Sequence, residues 1–121
     1  MRVSVSRSPG YRVKHLGEAP TVPCPCGNST RLLTIADAPL ANVHVTEILE
    51  SVRHFHKNCT EIYYILEGKG RLELNEDEIE VQPGTLIVIE PLTTHRLRSE
   101  NGVKTMVIGI PALQPDDEYL V

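Results

Sequence analysis

Short β-forming segments, each bounded by turn residues, are the feature of this sequence that most restricts its fold. The clearest example is RLELNEDEIEVQ at 71–82, where apolar and charged residues alternate. A period of two sends successive side chains to opposite faces of a strand, so one face packs inward and the other meets water. Residues 75–77 predict a hairpin turn inside this stretch, and Pro83 with Gly84 predicts the next turn. Because no apolar stripe of helical period exceeds two turns, the sequence predicts an all-β sandwich or barrel.

The same pattern divides the whole chain into predicted strands. They are expected at 2–6, 11–16, 31–36, 42–49, 61–68, 70–75, 77–82, 85–90, 94–99 and 103–110. The proline-rich stretch at 19–30 is predicted to be irregular loop. The C-terminal PALQPDDEYLV is expected to form a single helical turn after Pro115. A length of 121 residues suits one domain spanning 1–121.

Charge and composition exclude several classes of partner. The formal net charge is −4, and acidic and basic residues are interspersed, so no basic stripe is available for nucleic acid. The longest apolar runs, such as TLIVI at 85–89, are too short to span a bilayer. The N-terminal residues lack the apolar core of a secretory signal, which predicts a cytoplasmic location.

The cysteine count is three, which is odd, and a reducing compartment would keep all of them as thiols. Cys24 and Cys26 form a Cys-x-Cys pair, which by itself is poor support for a zinc site. Cys59 lies between candidate metal ligands, where a thiol could sense oxidation. The favoured interpretation is that these cysteines are structural or incidental.

Four polar residues have the spacing of a metal site. His54 and His56 lie two apart, so on a strand they point the same way with Cα atoms roughly 6.5–7 Å apart. Glu61 is five residues further on, an odd number that would send its side chain to the opposite face of an unbroken strand. The intervening KNCT is therefore predicted to be a loop or bulge that turns the Glu61 side chain back to the face of the histidines. His95, which follows a proline-containing turn, supplies a fourth ligand. One divalent cation would satisfy all four groups, which would otherwise need many buried hydrogen-bond partners.

These residues also resemble the two motifs of the cupin superfamily. The first motif is His-x-His-x4-Glu-x6-Gly and the second ends on a histidine; the matching residues are His54, His56, Glu61, Gly68, Gly84 and His95. At position 92, where the second motif has a glycine, this chain has Leu. The resemblance spans 48–101 and implies a double-stranded β-helix, or jelly-roll barrel, of two antiparallel sheets with little helix. It divides the chain into an arm of strand and loop at 1–30 and a core barrel at 42–110 that carries both motifs.

The resemblance also implies one divalent transition metal ion per chain, which could be Fe, Mn, Ni, Zn or Cu. The predicted function is a metal-binding cupin that acts on a small molecule as an enzyme, with dioxygenase-like or isomerase/lyase-like chemistry. The alternative is a non-catalytic module that binds a small ligand. Small cupins of this type resemble homodimers, and RVSVS at 2–6 is a candidate strand to cross between subunits.

Three further residues are weighed as site residues. Tyr63 lies two residues after Glu61 and so faces the same way, where its hydroxyl could move a proton as a catalytic group or simply form a wall. Arg31 could clamp an anionic substrate if the preceding loop covers the barrel mouth, the alternative being a surface salt bridge. His44 lies outside the motif, and the favoured interpretation is that its imidazole either has its hydrogen bonds satisfied or is exposed.

Overall fold

Antiparallel strands make up nearly all the regular structure in residues 10–24 and 26–121, the part of the chain that the computed structural model describes. Within that part a single 3-10 turn, Leu16–Glu18, precedes the first strand. No helix there is long and apolar enough to cross a membrane. The strands are β1 Thr21–Cys24, β2 Gly27–Leu33, β3 Asn42–Glu50, β4 His54–Phe55, β5 Thr60–Glu67, β6 Gly70–Leu74, β7 Asp77–Val81, β8 Leu86–Ile89, β9 His95–Ile110 and β10 Tyr119–Leu120.

Strand β9 joins two sections of one continuous ten-stranded sheet, called here the first and the second sheet, because its 16 residues are long enough to pair in one section and then in the other. Its first residues pair with β6 and β4, in a sheet ordered β7-β6-β9-β4-β10. Its later residues pair with β3 and β5, in a sheet ordered β1-β2-β3-β9-β5-β8. Every pairing is antiparallel, which confirms the predicted fold class. The two separate strands predicted at 94–99 and 103–110 are therefore one strand.

The core lies between the two sheets and is built from aliphatic side chains, since the chain has one Phe and no Trp. Leu72 and Leu97 of the first sheet are 0% and 1% exposed, and they belong to the same buried cluster as Ile48, Ile65 and Val103 of the second. Burying each such side chain contributes about 1.5–3 kcal/mol. This packing holds the two sheets face to face.

The alternating stretch at 71–82 forms the predicted hairpin of β6 and β7. Leu72 and Val81 are buried as predicted, and Leu74 packs against the core from a half-buried position. Ile79, in contrast, is 36% exposed. The reason is that β7 pairs only with β6, so its middle lies at a sheet edge.

The prediction of irregular loop at 19–30 is wrong, because β1 and the start of β2 form a hairpin there. Pro23 pairs with Asn28 in this hairpin. A proline is tolerated because β1 is an edge strand and its second side has no ladder hydrogen bonds to lose. Gly27, which pairs with Cys24 at the closed end of this hairpin, has a φ of 143°, a conformation that favours glycine.

Two more predicted elements differ in the structure, and a third cannot be compared. Residues 11–16 are not a strand, since they are exposed and form no strand pairing with any other residue that the structure describes. After Pro115 the chain makes a turn, in which the Asp117 N–H donates to the Gln114 carbonyl at 3.0 Å, and then enters β10 instead of a helix. The strand predicted at 2–6 lies outside the described residues.

Leu92 has a left-handed backbone, with a φ of 72°, at the position where the second cupin motif has glycine. A left-handed conformation costs an L-residue roughly 1–2 kcal/mol. The side chain is 65% exposed, so it contributes little packing in return. We predict that Leu92→Gly raises the free energy of unfolding by about 0.5–1 kcal/mol, as measured by urea denaturation.

The matched control for this prediction is Leu40→Gly, at a bend where the leucine is 75% exposed and its φ is not left-handed. There the glycine should only add unfolded-state entropy and lower stability by about 0.5–1 kcal/mol. A loss of stability in both variants would show that the backbone at Leu92 is not strained.

Candidate metal centre

The structure brings the four predicted ligands together from both sheets. His54 on β4 is the direct cross-strand neighbour of His95 at the start of β9. His56 follows β4 directly, and Glu61 is the second residue of β5. Residues 57–59 form a loop between them, so the odd spacing still lets both side chains face the same point. All four residues are buried, with exposures between 1% and 6%.

The ligand atoms of these residues are close enough to share one ion. One nitrogen or oxygen from each of the four residues lies within 4.8 Å of all the others. The Nε2 atoms of His56 and His95 are each 3.1 Å from Oε1 of Glu61. Two atoms that bind one ion at about 2.1 Å can be up to about 4.2 Å apart, so small side-chain rotations suffice to bring all four onto a single cation.

The other nitrogen of each imidazole fixes the tautomer. Nδ1 of His54 lies 2.7 Å from the Val52 carbonyl, Nδ1 of His95 lies 2.9 Å from the Thr93 carbonyl, and Nδ1 of His56 lies 2.6 Å from the Asp117 carbonyl. A carbonyl oxygen only accepts, so each Nδ1 must carry the proton. In the neutral ring the lone pair is then on Nε2, which faces the cluster. This is the usual support for a metal-binding histidine.

His56 receives this support from the C-terminal segment. The Asp117 carboxylate accepts the backbone N–H groups of Lys57 at 2.7 Å and Asn58 at 3.1 Å, while its own carbonyl accepts Nδ1–H of His56. Asp117 is 3% exposed, and β10 continues the contact by pairing with β4. The residue therefore holds both the loop after His56 and the imidazole itself. The sequence contained no signal for this role.

The electrostatics of the cluster favour a cation. Burial lowers the pKa of His56, but the hydrogen bond to Glu61, the charge of Glu61 and the Asp117 carbonyl together outweigh it and raise that pKa to about 9. Burial likewise raises the pKa of Glu61, yet hydrogen bonds to His56 and His95 hold it far below its usual range. Burial, with repulsion from His95, lowers the pKa of His54 to about 4. A buried carboxylate thus keeps its charge and demands a positive partner, which can be a proton on His56 or a metal ion.

The donor set fits a divalent transition metal. Three neutral imidazoles and one carboxylate match the preference of Fe, Mn, Ni, Cu and Zn, and the residual formal charge on a divalent ion would be +1. In six-coordinate geometry, four protein ligands leave two positions for small molecules. The cluster could therefore hold an ion that remains accessible to a ligand.

A cavity of about 310 Å³ lies against this cluster. Its lining includes His54, Glu61 and Tyr63. The ring of Tyr63 stands nearly perpendicular to that of His95, with centroids 6.2 Å apart, and burial raises the pKa of its hydroxyl well above the ordinary value. The phenol is therefore protonated at neutral pH and able to donate. Tyr64, the next residue, is 41% exposed on the outer face.

Arg31, His44 and Glu118 also line this cavity. Arg31 and His44 are cross-strand neighbours on β2 and β3, so both side chains lie on the same face. His44 therefore lies beside the cavity, on a strand that the sequence already indicated as a lining strand of the barrel; the interpretation of its imidazole as satisfied or exposed stays a prediction. Glu118, whose Oε1 is 3.9 Å from Nε2 of His54, was not singled out, because it follows a turn far along the chain.

The cysteines differ from the prediction. Cys24 and Cys26 are joined by a disulfide, so the prediction that all three stay thiols is wrong. The hairpin places their Cα atoms 5.1 Å apart, within the range that a disulfide requires. Cys59 is free and buried, and burial raises its pKa to about 12, which makes it a poor oxidation sensor. The cytoplasmic location stays a prediction.

A larger groove of about 920 Å³ lies elsewhere, on the outer surface. Its charged side chains include Arg71, which pairs with Glu78 at 3.4 Å and Glu80 at 3.5 Å. These charges are compensated locally and exposed to water. The groove therefore lacks the buried, converging groups that distinguish the cavity beside the histidines.

Comparison with known proteins gives a consistent picture. The family model of the cupin domain matches residues 43–110, more than half of the chain. A curated relative, the uncharacterized protein MJ1618 of Methanocaldococcus jannaschii, is 36% identical over 74 residues, which are 60% of this chain and 59% of that protein. This chain therefore spans less than two thirds of that relative's length.

Solved structures extend the similarity to nearly the whole chain. A protein from Planctomyces limnophilus is 28% identical with a TM-score of 0.85, over 93% of this chain and 98% of that one. Ectoine synthase from P. lautus is 23% identical with a TM-score of 0.77, over 92% and 90% of the two chains. The second likeness concerns the fold alone.

Proposed function

The chain belongs to the cupin domain family, and on that basis we propose that it is a metalloenzyme acting on a small molecule. Its metal would be one divalent transition ion per chain, with the ligands His54, His56, Glu61 and His95. The observation that carries the proposal is the convergence of three Nε2 lone pairs and a buried carboxylate beside a cavity of about 310 Å³. A site built only for structure would have no need of that opening.

Bound there, a divalent metal supplies Lewis-acid polarisation of a substrate oxygen or a binding position for dioxygen. The protein's own groups then orient the substrate and move protons. Tyr63 is the proposed proton donor, because it lines the cavity and its hydroxyl keeps its proton at neutral pH. Dioxygenase-like and isomerase/lyase-like reactions both use these parts. The alternative function is a binding module that holds a small ligand on the metal without turnover.

We also propose that the protein is a homodimer. The outer face of β8, β5 and β9 is apolar, with Leu86 58%, Val88 55% and Tyr64 41% exposed. Cross-strand pairing makes this face continuous, since Tyr64 lies opposite Leu86, and Ile62 opposite Val88. Such a patch marks an interaction surface, and a second copy of the chain can cover it through a two-fold axis.

Metal binding is tested with His56→Ala and His95→Ala. Each change removes one of four ligands, so the affinity for Zn²⁺ should fall by at least about tenfold. The measurement is chelator competition on protein purified without a metal-binding tag, together with elemental analysis. His15→Ala is the control, because His15 is exposed and far from the cluster in sequence. Unchanged metal content in both ligand variants would contradict the proposed site.

Turnover is tested on protein loaded separately with Fe, Mn, Ni, Cu or Zn. Oxygen uptake with 1,2-diols, β-dicarbonyls or thiols would mark oxygenase chemistry, and isomerisation of sugars under nitrogen would mark the Lewis-acid branch. We expect activity in one of these two assays. Glu61→Gln should abolish that activity, and Tyr63→Phe should lower its kcat by about a hundredfold. Tight ligand binding without turnover in any arm would contradict the enzyme and favour the binding module.

The dimer is tested with Val88→Lys, which places a charge in the centre of the apolar face. Sedimentation equilibrium should show a dimer for the unaltered protein and a monomer for this variant, because a buried unpaired ammonium opposes association. Leu40→Lys is the matched control, since Leu40 is 75% exposed on a separate loop. A monomer before any substitution would contradict the proposal.

A further inference from the structure

The cavity has a second polar wall that the metal ligands do not use. Arg31 on β2 and His44 on β3 face it side by side, and Glu118 reaches it from the C-terminal segment. The metal cluster contributes His54 and Glu61 to the same cavity. Any molecule that enters to reach the cluster therefore also meets the guanidinium of Arg31.

Arg31 is charged and has no hydrogen-bond or ion-pair partner in the part of the chain that the structure describes. Its Nε is buried and has no hydrogen-bond partner among the described residues. Within those residues no carboxylate lies within ion-pair distance of its side chain. A guanidinium is protonated at every physiological pH and offers donors in a fixed planar fork. A buried donor left unsatisfied is costly, and the side chain that carries it lines a cavity that admits a ligand.

The neighbours of Arg31 do not neutralise it. Burial, assisted by the positive charge of Arg31, lowers the pKa of His44 to about 4, so this imidazole is neutral. Glu118 also lines the cavity, where burial raises its pKa and the charge of Arg31 is the smallest of the opposing influences; its Oε1 lies 3.9 Å from Nε2 of the neutral His54. The site thus has a fixed positive charge beside a neutral donor and acceptor. Its complement is an anionic group from solution.

We propose that Arg31 binds the carboxylate of a small monoanionic substrate, with His44 beside it, while a second polar group of that molecule faces the metal cluster. This inference rests on the proposed metal function and names its substrate class: a short carboxylic acid that also carries a hydroxyl, carbonyl or amine. The planar fork of one arginine matches a carboxylate through two parallel hydrogen bonds. A dianionic phosphate fits less well, because the same cavity already contains the carboxylates of Glu61 and Glu118.

The size of the cavity supports a short molecule. About 310 Å³ is at the small end of the range for ligand sites, which is roughly 300–1,000 Å³. The β1–β2 hairpin limits it further, since the disulfide-linked Cys24 and Cys26 form part of the lining.

The test uses cobalt-loaded full-length protein and defined probes. Calorimetry measures the affinity for glycolate, lactate and 3-hydroxypropionate, and for glycolamide and lactamide as neutral counterparts of the same shape. Inorganic phosphate is the third class of probe, beside the carboxylates and the neutral amides. We expect the carboxylates to bind at least about tenfold more tightly than the amides and than phosphate, as the loss of a charge-assisted pair predicts. The visible spectrum of cobalt reports separately whether a probe reaches the metal.

Arg31→Gln should lower carboxylate affinity by at least about tenfold while cobalt content, the cobalt spectrum and amide affinity stay unchanged. Arg31→Lys keeps the charge without the fork and should lose affinity to an intermediate degree. Arg71→Gln is the control, since Arg71 is exposed and paired with glutamates on the outer surface. Retained cobalt binding in each variant shows that it is folded.

Three results would overturn the inference: equal carboxylate affinity in Arg31→Gln, tighter binding of phosphate or amides than of carboxylates, or no binding of any carboxylate to the unaltered protein. Failure of the proposed metal function has a different signature. In that case the unaltered protein takes up no cobalt, whether or not carboxylates bind in an Arg31-dependent manner.

Discussion

Three hydrogen bonds from imidazole Nδ1 to backbone carbonyls are the interactions on which the candidate site depends. They place the proton of each neutral ring on Nδ1, and so they leave the Nε2 atoms that face the cluster to take up either a further proton or a metal ion. Without them each ring could rotate or change tautomer, and the cluster would satisfy itself through ordinary hydrogen bonds. With them, the buried carboxylate faces acceptors and needs a cation. The orientation of the rings therefore determines which atoms can bind a cation, as well as how the side chains pack.

The shared strand β9 makes this arrangement possible. His95 begins it within the sheet that also contains His54, and its later half pairs with β5, which carries Glu61. The ligands consequently come from both sheets and meet where the sheets face each other. Burying four polar groups is unfavourable by itself. The free energy gained by burying the aliphatic core beneath them offsets that cost and holds the two sheets together. Cavity and core are thus two parts of the same space between the sheets.

The cavity has two polar walls of different chemistry. One part is the histidine–glutamate cluster, and another is the charged Arg31 with the neutral His44 beside it. Arg31 reaches this position because the proline-rich segment before it pairs as a hairpin with β2 at the edge of the sheet. An irregular loop at 19–30 would not have fixed the start of β2 in this way. The edge hairpin therefore holds Arg31 in place for the proposed recognition of a ligand, as well as extending the sheet.

The sequence by itself determined the all-β class, most of the strands between 42 and 110, and the residues that converge at the cluster. It could do so because alternation and turn residues act over a few positions, and because the orientation of His54 and His95 depends on carbonyls only two residues away. The carbonyl that orients His56 belongs to Asp117, and Glu118 and Arg31 line a cavity formed by distant segments. Only the tertiary structure decided these contacts, because no local pattern encodes a hydrogen bond that spans 61 positions of the chain.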